Sequence, residues 1–229
     1  MKTTIESILK IAIKVAIIVV GVLGIVLSAS SDSFMGNGYV FMFFTVQSNL
    51  TIMGISLVFL VNDIRMMFKK ESFLNNIFYL IKYTFTIAIL ITFLVFFIML
   101  APTLGIDYLL SFKNFSLHAI VPILAIIDFF VFDKDINLTY RNSLVGTFMP
   151  IYYLLFFLIG IPLNFRYSSD GLKAPYFFLN YEEIGWFAIT DKGPGVFIYV
   201  LILLALIVLL GFLFTFLMNL RQKKGKSND

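Results

Sequence analysis

Six apolar runs set the terms for this chain. They cover residues 8–29, 39–61, 77–100, 115–132, 144–161 and 196–220. Each is long enough to cross about 30 Å of hydrocarbon as a helix. Backbone amides inside a bilayer have no water to bond, so such runs must be helical. The chain has 229 residues, 60% of them hydrophobic and 13% charged, with a mean hydropathy of +0.98. A soluble domain of that length cannot hide so much apolar surface. The sequence therefore predicts an all-α integral membrane protein, one six-helix domain spanning residues 1–229, with no length left for a separate soluble domain.

Composition also excludes several chemistries. The chain has 0 cysteines and 1 histidine, so disulfides, metal–thiolate sites, multi-histidine metal sites and a cysteine nucleophile are ruled out. No metal or cofactor is expected. The sequence pI of about 9.2 is no sign of nucleic-acid binding, because most basic residues flank the apolar runs. Lys2, Lys10 and Lys14 before an apolar run ending near Ser28-Ala29-Ser30 resemble a signal peptide. The run exceeds a usual signal core and the small-residue site is weak, which favours an uncleaved first helix.

Basic residues orient the bundle. Lys2, Lys10, Lys14, Arg65, Lys69, Lys70, Lys82, Lys134, Arg141, Arg221, Lys223, Lys224 and Lys226 fall on one side; only Lys113, Arg166, Lys173 and Lys192 fall on the other. The positive-inside rule then places both termini in the cytoplasm and the protein in the cell membrane. Lys14 and Lys82, one turn inside their helices, are expected to snorkel to the cytoplasmic interface. Asp128 is expected near the same interface, paired with Lys82, Lys14 or Arg141. No internal repeat, phosphate loop, selectivity filter or voltage-sensor pattern is visible. The loop 162–195 carries Tyr167, Tyr176, Phe177, Phe178 and Trp186, placed either at the lipid headgroups or in a lid.

The polar residues inside the apolar runs point to chemistry. Thr45, Asn49, Ile52 and Ser56 share a stripe of helix two, with Ser48 beside it and Gln47 and Thr51 around the helix. Such a stripe faces protein or water, bonding to neighbouring helices or forming a site. Thr45 lies six residues, roughly 9 Å, below Tyr39 at about 1.5 Å per residue. His118 lies about one turn into helix four, at similar depth. A threonine hydroxyl becomes a nucleophile when a neutral imidazole takes its proton. Helix N-termini keep that imidazole neutral and favour an oxyanion, and Asn49 or Gln47 can supply further donors. Pro122 removes the hydrogen bond to the His118 carbonyl and predicts a kink. Asp128, ten residues and about 15 Å beyond His118, is too far to complete a triad.

Several stretches resemble one family. Phe44-Thr45-Val46-Gln47-Ser48-Asn49-Leu50 is similar to the helix-two motif of the androgen-induced protein / androgen-dependent TFPI-regulating protein family. Leu117-His118-Ala119-Ile120-Val121-Pro122-Ile123, followed by Asp128-Phe129, resembles the helix-four motif of its bacterial members. Pro175-Tyr176-Phe177-Phe178-Leu179-Asn180, then Gly185-Trp186, resembles its outer-loop motif. The loop departs from the usual pattern at Phe177, where a second proline is more common, and at Asn180, where an aspartate is. The resemblance implies a six-helix intramembrane hydrolase of fatty acid esters of hydroxy fatty acids or related lipid esters. It also implies Thr45 and His118 as catalytic residues, with Gln47, Ser48, Asn49 and Tyr176 as neighbours of substrate or oxyanion. The partners expected are membrane lipids, not nucleic acid. Two other readings stay open: a transporter or channel using the same polar cluster, and a non-catalytic lipid-binding protein in which Thr45 and His118 only lock helices together.

Overall fold

The computed structural model describes residues 2–30, 38–68, 71–133, 136, 138–187, 189–191 and 193–226. In the basic asymmetry above, Lys69, Lys70, Lys134 and Lys192 lie outside the described residues, as do the side chains of Lys2, Lys224 and Lys226. Six helices are long and apolar enough to cross a membrane: Ile5–Ala29, Phe44–Met67, Asn76–Thr103, Phe112–Phe132, Asn142–Gly160 and Val196–Lys223. The chain is a multi-pass, all-α membrane protein. Its surface carries the aliphatic load, with Val19, Val22 and Val26 on the first span and Leu209, Leu213 and Phe216 on the last all exposed. Ser48, Asn49, Ser56, Thr86, Ser116 and Asp128 are each 0% exposed. Hydrocarbon cannot hydrate them, so the polar face of each helix turns inward.

In chain order, α1 (Lys2–Ala29) packs on α2 (Phe44–Met67), and α2 packs on α3 (Asn76–Val95). The third span continues past α3 as a π-helical stretch, Phe96–Leu100. Two short helices, α4 (Ile106–Leu110) and α5 (Phe112–Phe115), lead through a π-helical turn, Ser116–Ile120, into α6 (Val121–Phe132). α6 packs against both α1 and α3, closing an inner group of four spans. A 3-10 stretch Asn142–Thr147 and α7 (Phe148–Gly160) make the fifth span. A short α8 (Tyr181–Ile184) and the paired dipeptides β1 (Ile189–Thr190) and β2 (Gly193–Pro194) follow, before α9 (Val196–Lys226).

Glycines allow two of the close approaches. A Cβ on Gly24 of α1 would fall 2.3 Å from Ser116 Oγ and 2.9 Å from the Leu117 side chain, so the first span lies directly on the π turn. A Cβ on Gly211 of α9 would fall 2.6 Å from the Ser143 carbonyl, and the Tyr83 hydroxyl donates to the Gly211 carbonyl at 3.1 Å. Small residues at such crossings are how helices pack tightly where lipid supplies no hydrophobic drive between them.

Three expectations change. Helix two does not start at Tyr39: Tyr39–Met42 is a 3-10 turn, Phe43 is extended (φ −90°, ψ 140°), and the α-helix begins at Phe44. Thr45 is therefore in the first helical turn, not six residues down. Second, Lys14 and Lys82 do not snorkel; each is 1% exposed. Lys14 pairs with Asp63 (3.0 Å) and Asp128 (2.9 Å), and Lys82 pairs with Asp128 (2.6 Å) and Asp133 (2.7 Å). Three carboxylates, Asp63 on α2 and Asp128 and Asp133 on α6 and its C-terminal cap, meet the ammoniums inside the bundle, so the long side chains have no need to reach the interface. Asp128 takes both lysines and is itself fully buried. Third, much of the loop 162–195 folds onto the helices. Tyr167, Ala174, Phe178, Leu179 and Ile184 are core residues, and the rings of Tyr167 and Tyr176 meet Phe43 edge-on at 6.2 and 5.9 Å. The loop is a packed cap over the start of α2, not an aromatic belt alone.

Candidate functional site

The break at Phe43 builds the site. Val46 and Gln47 N–H both donate to the Phe43 carbonyl, at 3.1 and 3.2 Å. The N–H groups of Phe44 and Thr45 thus precede the first helical bonds, as in any helix start, and face the Tyr176 hydroxyl of the cap, which also lies beside the Thr45 hydroxyl. Burial pushes the Tyr176 phenol above its ordinary range, against the opposing effect of the Thr45 hydroxyl and these two amides. Tyr153 of α7 donates to the Met42 carbonyl at 3.0 Å and fixes the other side of the break.

His118 reaches the same point from the π turn. Its Nε2 lies 3.2 Å from Thr45 Oγ1, and its Nδ1 lies 3.0 Å from the Asn114 carbonyl oxygen. A carbonyl only accepts, so Nδ1 carries the proton and Nε2 is left to accept from the threonine. The Phe96 ring stacks on the imidazole, with centroids 3.9 Å apart at 26°. The irregularity expected from Pro122 takes the form of the π turn, a feature found often at functional sites, and it includes His118 itself.

The other candidates separate by what their polar atoms already do. Asn49 does not offer a donor to an oxyanion: its Nδ2 donates to the Thr45 carbonyl (2.7 Å) and the Leu117 carbonyl (3.0 Å). It ties the helix carrying Thr45 to the turn carrying His118. Ser48 donates to the Thr45 carbonyl at 3.0 Å and pairs with Thr92 Oγ1 at 2.8 Å, tying α2 to α3. Gln47 donates to the Phe41 carbonyl at 3.1 Å and lines neither cavity at Thr45. The structure thus brings Thr45, His118 and Tyr176 together, makes Asn49 and Ser48 their supports, and leaves Gln47 outside. Phe96, Tyr153 and the Asn114 carbonyl were missed. A phenylalanine among 28 and a backbone carbonyl leave no mark in a sequence.

Two cavities flank this point and share Thr45, Phe96, Leu100 and Tyr176. One, of about 100 Å³, runs between the third, fifth and sixth spans; the other, of about 310 Å³, lies between the cap and the π turn. Among the described residues, no cluster of acidic and histidine side chains fit to hold a metal ion is present.

Fold and site together define a multi-pass helical membrane protein with a partly buried threonine–histidine pair between two cavities. Comparison with protein-family models, curated proteins and solved structures finds no match.

Proposed function

We propose that this protein is an intramembrane lipid ester hydrolase of the androgen-induced protein type, lying in the cell membrane with both termini in the cytoplasm. The observation that carries the reading is the contact of Thr45 Oγ1 with His118 Nε2 at 3.2 Å, with Nδ1 held by a carbonyl. In the reaction, Thr45 Oγ attacks the ester carbonyl carbon while its proton passes to His118 Nε2. Collapse of the tetrahedral intermediate breaks the bond to the alcohol oxygen, which takes that proton. Water, activated by His118, then releases the acid and restores the hydroxyl. The Tyr176 hydroxyl, held beside Thr45 by the Phe44 and Thr45 amides, is the donor for the developing oxyanion.

The test is labelling of the purified protein in detergent with a fluorophosphonate, followed by peptide mass spectrometry. Phosphonylation of Thr45 in the wild type, abolished in Thr45→Ala and reduced at least 100-fold in His118→Ala, is the expected result. Absence of labelling in a monodisperse wild-type sample refutes the hydrolase and leaves the transport and lipid-binding readings.

A further inference from the structure

The two cavities at Thr45 differ in chemistry. The smaller is lined by residues such as Ile91, Val95, Leu203, Leu204 and Ile207, and no charged side chain lines it. The larger is lined by one charged side chain, Lys113, with Tyr108 and Asn114 near it in the chain. No aspartate or glutamate lines that cavity, and among the described residues Lys113 has no acidic partner. Asn114 is 3% exposed; its Nδ2 donates to the Leu109 carbonyl at 3.3 Å, but its Oδ1 accepts nothing.

Both features ask for a ligand. An ammonium lining a cavity of low polarity, with no counter-ion, draws an anion. A buried amide oxygen without a donor is costly until a hydroxyl or amine reaches it. The apolar cavity asks for the opposite, a hydrocarbon chain and nothing else. An ester with its carbonyl at Thr45 can place one half in each.

We propose that the larger cavity is the subsite for an anionic alcohol half of the substrate and that Lys113 selects it, while the acyl chain lies in the apolar cavity. The anion can be a phosphate on a glycerol backbone or the carboxylate of a hydroxylated acyl chain. The assignment of the two halves rests on the hydrolase reading; the anion site does not. Asn114 links the two, because its carbonyl holds His118 while its side chain lines the subsite.

The test uses two matched pairs of probes and the full-length Thr45→Ala variant, which binds without turnover, in neutral detergent. One pair is oleoyl lysophosphatidic acid and monooleoylglycerol, which differ by the phosphate. The other is the palmitate ester of hydroxystearic acid and its methyl ester, which differ by the free carboxylate. Dissociation constants are read by native mass spectrometry. The anionic member of at least one pair should bind at least tenfold tighter than its neutral twin, and the pair that shows this names the anion. Adding Lys113→Ala should erase the preference with the neutral twin unchanged, Lys113→Glu should reverse it, and Lys113→Arg should keep it. Equal binding within both pairs, no binding of any probe, a preference that survives Lys113→Ala, or an equal loss of both twins overturns the proposal. Hydrolysis of the anionic ester that binds more tightly is measured alongside, with Thr45 intact. Its absence, with the anion preference present, refutes the hydrolase reading alone.

Discussion

Removing Lys82 should damage this protein more than removing Asp128, although Asp128 is the centre of the buried ion network. Lys14 and Lys82 face Asp63, Asp128 and Asp133, so two ammoniums meet three carboxylates, a net charge of −1. In Asp128→Asn, Lys14 keeps Asp63 at 3.0 Å and Lys82 keeps Asp133 at 2.7 Å. Two pairs remain and the net charge is 0. In Lys82→Met one ammonium faces three carboxylates, net −2; Asp133 loses its partner while 4% exposed, and Asp128 keeps only Lys14. Removing one partner of a buried pair costs about 3–5 kcal/mol, because the remaining charge stays desolvated. We expect Lys82→Met at that cost and Asp128→Asn well under it, about 1–2 kcal/mol for lost hydrogen bonds. For a chain of this length, 3 kcal/mol is worth roughly 6–12 °C in melting temperature. The assay is thermal unfolding in detergent, followed by size-exclusion chromatography of the surviving fraction. Asp63 lies eighteen residues beyond Thr45 on α2, roughly 27 Å at about 1.5 Å per residue, so the folded fraction of either variant should still carry fluorophosphonate on Thr45. An Asp128→Asn variant less stable than Lys82→Met, or a Lys82→Met variant as stable as the wild type, would refute the charge argument.

Four further outcomes follow from the site and its cap. Asn49→Leu removes both the Thr45 and the Leu117 bonds, so labelling of Thr45 should fall at least tenfold for a stability loss of about 1–2 kcal/mol; unchanged labelling would mean the tie is dispensable. Tyr176→Phe should lower the rate of ester hydrolysis about 100-fold with little change in KM, the usual effect of losing one oxyanion donor, and equal rates would remove Tyr176 from the site. Because burial raises the Tyr176 phenol, it stays a protonated donor where a free tyrosine ionises; a pH–rate profile should show no loss from this group below pH of about 10, and a fall beginning earlier that Tyr176→Phe lacks would contradict this. Tyr167, pushed up by burial to about 12, is protonated in the folded state while the unfolded chain ionises, so its contribution to stability is present below about pH 10 and lost between pH 10 and 12; alkaline unfolding that Tyr167→Phe does not delay would count against it.

The amino-acid sequence alone determined the six spans, because hydrocarbon thickness sets their length and only a helix satisfies the backbone within it. It also determined that Thr45, Ser48, Asn49 and Ser56 point inward, since a polar stripe at helical spacing has nowhere else to go. Tertiary structure decided what each polar atom does there. Asn49 looked like a free donor until the Leu117 carbonyl, sixty-eight residues away, was found to take it. Lys14 and Lys82 looked like snorkelling residues because their counter-charges sit on other helices, up to 114 positions along the chain. The start of α2 at Phe44 accompanies the packing of Phe43 against Tyr167 and Tyr176 of the cap, and that start is what turns the Phe44 and Thr45 amides to the Tyr176 hydroxyl beside the threonine. Periodicity reads one helix at a time, whereas a hydrogen bond or an ion pair needs both partners, and only packing brings those together.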